Sequence, residues 1–174
     1  NWYITLYVVL ALLSPYINHM IKDLSQKSYL VLLTVMFFAF SVWPTILDIA
    51  SEVLGISMAG INTVALNGAD SGYTIVNFVL LYLIGAFLSK FQAMQYKQCW
   101  DILGYLLCTC VICVQEMVLC QGWSYANPFV ILSCVFFLNI FRKMHFTSAF
   151  INTISKASLG VFLIHTNLLI INFA

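Results

Sequence analysis

Six apolar blocks, each bounded by a short polar stretch, limit what this chain can fold into: Trp2 to Ile17, Tyr29 to Trp43, Tyr73 to Leu88, Cys99 to Cys120, Pro128 to Phe141 and Ala157 to Phe173. Of the 174 residues 63% are hydrophobic and only 7% charged, a balance that excludes a soluble globular domain. No block alternates apolar with polar residues over ten positions, as an outer-membrane barrel strand would. Helices are therefore the spanning elements, because their backbone hydrogen bonds close internally where no water can take them. The expected fold is all-α, a polytopic transmembrane helix bundle of about six spans. Several blocks fall short of the roughly 20 residues that cross ~30 Å of hydrocarbon, so they must extend into their flanks or sit where the bilayer thins.

The basic residues test this threading independently. Lys22 and Lys27 fall in the first loop, Lys90 and Lys97 in the third, and Arg142, Lys143 and Lys156 in the fifth. Loop two, Pro44 to Gly72, and loop four, Gln121 to Asn127, carry none. The positive-inside rule then puts loops one, three and five in the cytoplasm and residues 1 and 174 on the outer side of a cell membrane. Trp2, Trp43, Trp100 and Trp123 agree, each falling at or just beyond a block end where an indole ring prefers the headgroup level. A chain that starts outside with no basic segment before its first span reads as part of something longer.

Cys108, Cys110 and Cys113 lie close in sequence, but on a helix Cys108 and Cys110 point about 200° apart, so no metal site is expected there. They read as small packing residues, and Cys120 alone is a disulfide candidate. In loop two, Ile46, Leu47, Ala50, Val53 and Leu54 fall at helical spacing opposite Asp48, Ser51 and Glu52, after Pro44 and before Gly55. Residues 45–54 are therefore expected to form an amphipathic helix on the outer membrane surface, either as a lid of no chemical consequence or beside a substrate entrance. The basic loops set topology and meet anionic lipid headgroups; a phosphate-bearing donor is a second reading, although no glycine-rich phosphate loop occurs.

An ionisable group inside a span costs roughly 2.5 to 3.5 kcal/mol for Asp, Lys or Arg at mid-helix, so each needs a reason. Asp101 and Lys156 are placed at cytoplasmic ends, within reach of water. Glu116 lies about one turn from the outer end of its span. In the last block Ser158, His165 and Asn172 recur every seven residues and share one stripe, which should face other helices or a wet cavity. Asn167 points nearly opposite. A helix from Ala149 that ends near His165 places His165 and Asn167 at the outer interface, whereas one from Ala157 buries both. A neutral imidazole there is either a helix-to-helix contact of about 1 kcal/mol or a polar group for substrate or proton transfer.

Four strings resemble the acyltransferase-3 family of membrane proteins, which O-acylate sugars of envelope glycans. They are Trp2-Tyr3 with Leu13-Ser14-Pro15 and Asn18; Asn77-Phe78 with Tyr82, Ile84 and Gly85; Asn127-Pro128; and "SLGVFLIH", where Phe162 stands in for the usual tyrosine. The resemblance spans 1–174 and corresponds to the C-terminal portion of that membrane domain. It implies a bundle that transfers an acyl group, acetyl in the common case, from acyl-CoA (acetyl-CoA) to a sugar hydroxyl. The partners are then the lipid bilayer, acyl-CoA and a glycan acceptor, with no bound cofactor and no nucleic acid. The family's arginine- and histidine-bearing helix would precede Asn1, so the main catalytic roles pass to no residue here. His165, with Asn172 and Glu116 behind it, is the candidate for a pocket-lining or secondary site.

Two other classes stand beside this one: half of a transporter or flippase that uses the polar stripe as a path, and a non-catalytic anchor. No internal repeat favours the transporter. The 174-residue chain alone is expected to be inactive, which acyl transfer by the purified chain would refute. In the full-length protein, His165→Ala is expected to lower glycan acetylation at unchanged membrane abundance; loss of both together assigns His165 to packing.

Overall fold

The computed structural model describes residues 2–57, 61–63, 72–91, 97–119, 122–144, 148 and 151–155. Among these the chain is all helical, without a strand. Its helices are α1 (Trp2–Ile21), α2 (Gln26–Phe37), α3 (Trp43–Leu54), α4 (Ile75–Phe91), α5 (Gln98–Leu119) and α6 (Pro128–Arg142). A π-helical turn, Phe38–Val42, joins α2 to α3 without a break. Three helical stretches are long and apolar enough to cross a membrane: Ile4–Ile21, Gln26–Leu54 and Gln98–Leu119. Ile75–Phe91 and Pro128–Arg142 are apolar but shorter. The sixth expected span, Ala157 to Phe173, lies outside the described residues, as does Cys120.

Helix ends follow from local chemistry. Ser25 caps α2, its Oγ accepting from the Ser28 N–H at 3.2 Å. Asn127 caps α6, its Oδ1 accepting from the Phe129 N–H at 2.9 Å, with Pro128 at the first helical position where no N–H is needed. Gly55 ends α3 at φ 65°, in the left-handed region that costs glycine least.

The expected helix over 45–54 lies within α3, but the chain does not stop at Trp43 to begin it. In a π turn each N–H reaches back five residues, and the Trp43 N–H bonds the Phe38 carbonyl in this way. The next donor in that ladder would be residue 44, a proline without an N–H, so the Ala39 carbonyl is orphaned. The Thr63 hydroxyl donates to it instead. Trp43, expected at a span end, sits inside the rod and donates its indole N–H to the Ile61 carbonyl at 3.2 Å. Pro15 inside α1 poses the same problem, since it withholds the N–H that the Ala11 carbonyl would accept. Ser14 Oγ donates there at 2.9 Å. In lipid, an unmet carbonyl costs far more than in water, and a neighbouring hydroxyl is the standard remedy.

Tyr29, Leu83, Phe87 and Ile21 form the buried centre where α1, α2 and α4 meet. The Tyr29 hydroxyl donates to the Leu83 carbonyl at 2.9 Å, and its ring packs edge-on against Phe87 with centroids 5.3 Å apart. Helix α5 packs closely on α6 at Gly104, where a Cβ would come within 2.7 Å of the Phe136 ring. Outward faces are apolar: Leu12, Tyr16, Leu107, Met117 and Val118 are all more than half exposed, as lipid-facing positions should be.

Ser14→Ala leaves the Ala11 carbonyl without its side-chain donor and is expected to cost about 1 to 2 kcal/mol. Adding Pro15→Ala returns a backbone donor and should recover most of the loss. Thermal unfolding of the three variants in one detergent checks this, and equal destabilisation with and without the second change would refute it.

Candidate functional site

Polar side chains gather at the two ends of the bundle. At one end, the turn Gly122–Asn127 between α5 and α6 is gripped by three other segments. From α4, Asn77 Nδ2 donates to the carbonyls of Tyr125 at 3.1 Å and Gly72 at 3.2 Å. From the π turn, Ser41 Oγ donates to the Ala126 carbonyl at 2.6 Å. From within the turn, Asn127 Nδ2 donates to Gln115 Oε1 of α5 at 2.9 Å and to the Gly122 carbonyl at 3.2 Å. Ser41, Asn77, Gln115 and Asn127 are all buried. Burial in an apolar surround makes each such bond expensive to lose.

Close approach here requires glycine. Gly72 has φ 87°, and a Cβ would lie 2.4 Å from the Ala126 nitrogen, so both backbone and space forbid a side chain. Glu116 Oε2 accepts from the Gly122 N–H at 2.7 Å, which makes its carboxylate a clasp on the same turn. Asn77 Oδ1 and Gln115 Nε2 are buried without a partner among the described residues, so one acceptor and one donor remain for water or a ligand hydroxyl.

The other end is cationic. Lys90 Nζ donates to the carbonyls of Ile21 at 3.1 Å, Lys22 at 2.7 Å and Leu24 at 3.2 Å, capping α1 from α4. Lys143 pairs with Asp101. Asp101, expected to reach water at its helix end, is fully buried instead, because it sits in the first turn of α5 under the end of α6. The positive helix terminus and the ammonium both lie beside its carboxyl there. Beside them a groove of 610 Å³ runs between α1 and α4, where the Tyr82 hydroxyl donates to Asn18 Oδ1 at 2.9 Å.

Of the residues singled out from the sequence, Glu116 thus sits on α5 with its carboxylate against the polar turn, while His165 and Asn172 lie outside the described residues. Among the described residues no three His, Cys, Asp or Glu side chains cluster to hold a metal ion. Ser41 and Gln115 went unmarked. Gln115 beside Glu116 is a second polar group in an apolar block, and that was a usable signal; Ser41 in "FAFSVWP" shows none until the π turn points it inward.

A family model described as an acyltransferase domain matches residues 2–173. The chain belongs to the acyltransferase-3 family. It is accordingly a membrane acyltransferase sequence. No curated protein sequence and no solved structure matches it. Three of the four strings that carry the resemblance come together in space in this acyltransferase-3 chain, Asn18 with Tyr82, Ser14 with the carbonyl freed by Pro15, and Asn77 and Asn127 on either side of one turn, while the fourth, residues 158–165, lies outside the described residues. Their amides and hydroxyls hold backbone and offer neutral hydrogen bonds, which suits binding rather than nucleophilic attack.

Asn127→Ala removes a helix cap and two donor bonds, and about 2 to 3 kcal/mol of stability is expected to go with them. Gly72→Ala should cost at least as much through strain and overlap. A drop in melting temperature for both, against an unchanged value for a lipid-facing control such as Val118→Ala, checks the assignment.

Proposed function

We propose that this acyltransferase-3 chain works in a membrane O-acyltransferase that takes an acyl group, most simply acetyl, from cytoplasmic acyl-CoA and delivers it to a sugar hydroxyl of an envelope glycan. The observation that carries the reading is the polarity of the bundle. Lys22, Lys90, Arg142 and Lys143 gather at one end, and neutral amides with one carboxylate gather at the other. A multiply phosphorylated donor is attracted to the first kind of surface. A sugar, with many hydroxyls and no charge, is matched by the second. The positive-inside rule assigns the cationic end to the cytoplasm, which is where acyl-CoA is found.

In the reaction the sugar oxygen attacks the thioester carbonyl, its proton passes to a base, and the carbon–sulfur bond breaks to release CoA thiol. The base is proposed to be the histidine of the family's arginine- and histidine-bearing helix, a role the resemblance passes to no residue of this sequence. His165, Asn172 and Glu116 are proposed to line the outer mouth, beside the outward end of the rod that α3 completes. Glu116 already spends one oxygen on Gly122, so a polar contact to substrate fits it better than proton abstraction.

Membrane vesicles containing the full-length protein, supplied with acetyl-CoA radiolabelled in the acetyl group, are expected to accumulate base-labile label in glycan. Label that stays in CoA, with the protein present and folded, overturns the reading.

A further inference from the structure

We infer that the cationic end of the bundle carries a binding groove for a phosphate-bearing amphiphile, laid across α4 at Gly85 and Ser89 between Lys22 and Arg142. The inference rests on the proposed function only for one of two ligand sources, the acyl donor. Its starting point is that two cavities share a wall. The 610 Å³ groove on the α1 side of α4 includes Lys22, Tyr82, Gly85 and Ser89. A second cavity of 370 Å³, on the α6 side, includes Gly85, Ser89 and Arg142. Gly85 and Ser89 are one helical turn apart, so together they form the ridge between the cavities. That ridge is low because Gly85 has no side chain, and a Cβ built there would meet nothing within 4 Å. The two cavities therefore meet at this ridge, with Gly85 and Ser89 lining both.

The charges at this groove are not all available. Lys90 is committed to three carbonyls of the α1 terminus, and Lys143 to Asp101. Lys22 and Arg142 have no such partner among the described residues, and neither cavity is lined by a carboxylate. One cation on either side of the shared ridge, at the edge of a low-dielectric medium, creates a potential that an anion relieves. Arg142 presents a planar fork suited to phosphate oxygens, and Lys22 a point charge. The hydroxyl of Ser89 adds a donor. Ile21, Ala86, Leu88 and Leu138 complete the walls with apolar surface for a carbon chain. A phosphate group on an apolar tail is the shared chemistry, and it has two sources: the phosphates of CoA or the headgroup of an anionic phospholipid.

The test uses the full-length protein in nanodiscs of phosphatidylcholine alone and of phosphatidylcholine with phosphatidylglycerol. In the first, equilibrium binding of radiolabelled CoA is measured for the wild type, Lys22→Gln, Arg142→Gln and Gly85→Leu, with melting temperatures alongside. For the CoA source, each charge variant is expected to weaken binding on the order of tenfold, the scale of one charge-assisted hydrogen bond at a partly exposed site. Gly85→Leu should abolish saturable binding at an unchanged melting temperature, because its side chain enters open space. Should the leucine variant fail to fold, the two glutamine variants carry the test. For the lipid source, CoA binding is indifferent to the variants, while phosphatidylglycerol retained by the purified protein is lost in them. Variants that alter neither ligand overturn the groove. Acyl transfer is scored separately: CoA binding sensitive to the variants without transfer to glycan sinks the proposed reaction and leaves the groove, and normal transfer with indifferent variants does the reverse.

Discussion

A backbone carbonyl in an apolar surround must find a donor, and the three prolines of this chain show how much of its structure answers that demand. Pro15 withholds a donor in mid-helix, and the hydroxyl one residue before it supplies the replacement. Pro44 withholds one just after a π turn, and the replacement comes from Thr63, nineteen residues further along the chain, which thereby ties that segment to the rod. Pro128 withholds nothing, since it stands where a helix has no use for an N–H, and Asn127 caps the start beside it. The remedy at Pro15 is local, and Pro128 needs none. The remedy at Pro44 draws a loop onto a helix, so that a defect in one ladder becomes a tertiary contact.

The same economy governs the ends of the bundle. Loops that reverse direction at a membrane face expose carbonyls on both sides of the turn, and here buried amides collect them. Asn77 and Asn127 each bridge two acceptors, so α4 and α5 are both pinned to the start of α6. At the cationic end the roles invert: Lys90 gathers three carbonyls of the α1 terminus, and Asp101 holds Lys143 beneath the end of α6. The burial of that pair is weak evidence of net stability but strong evidence of register, since a buried carboxylate without its partner would be costly. Lys22 and Arg142, without such a partner among the described residues, are what a ligand can meet at this end.

The membrane class and the helical architecture were legible because composition and block pattern report them directly, without tertiary information. Asn77 and Asn127 stood out only within strings recognised by resemblance; their partners are 48 and 12 residues away, a separation that local periodicity does not encode. The continuity of α2 with α3 was hidden by Pro44, which reads as a helix start and is one only in the sense that the ladder changes type there. Asp101 was placed correctly at a helix end but with the wrong surroundings, because the sequence shows depth along a helix and not which neighbour lies over it. Glu116 was found by its cost in an apolar block, and its clasp on Gly122 follows from a turn whose shape depends on glycine.

The continuous rod from Gln26 to Leu54 has a mechanical meaning. Its 29 residues extend about 44 Å at 1.5 Å per residue, well beyond ~30 Å of hydrocarbon. Such a rod must lean or protrude, and how far it leans varies with bilayer thickness. Tyr29 joins it to α4 near one end, and Ser41 joins it to the α5–α6 turn near its middle. A thinner lipid environment therefore acts on the protein as a lever with two attachment points, and lipid composition becomes a variable that reaches both polar ends without touching either.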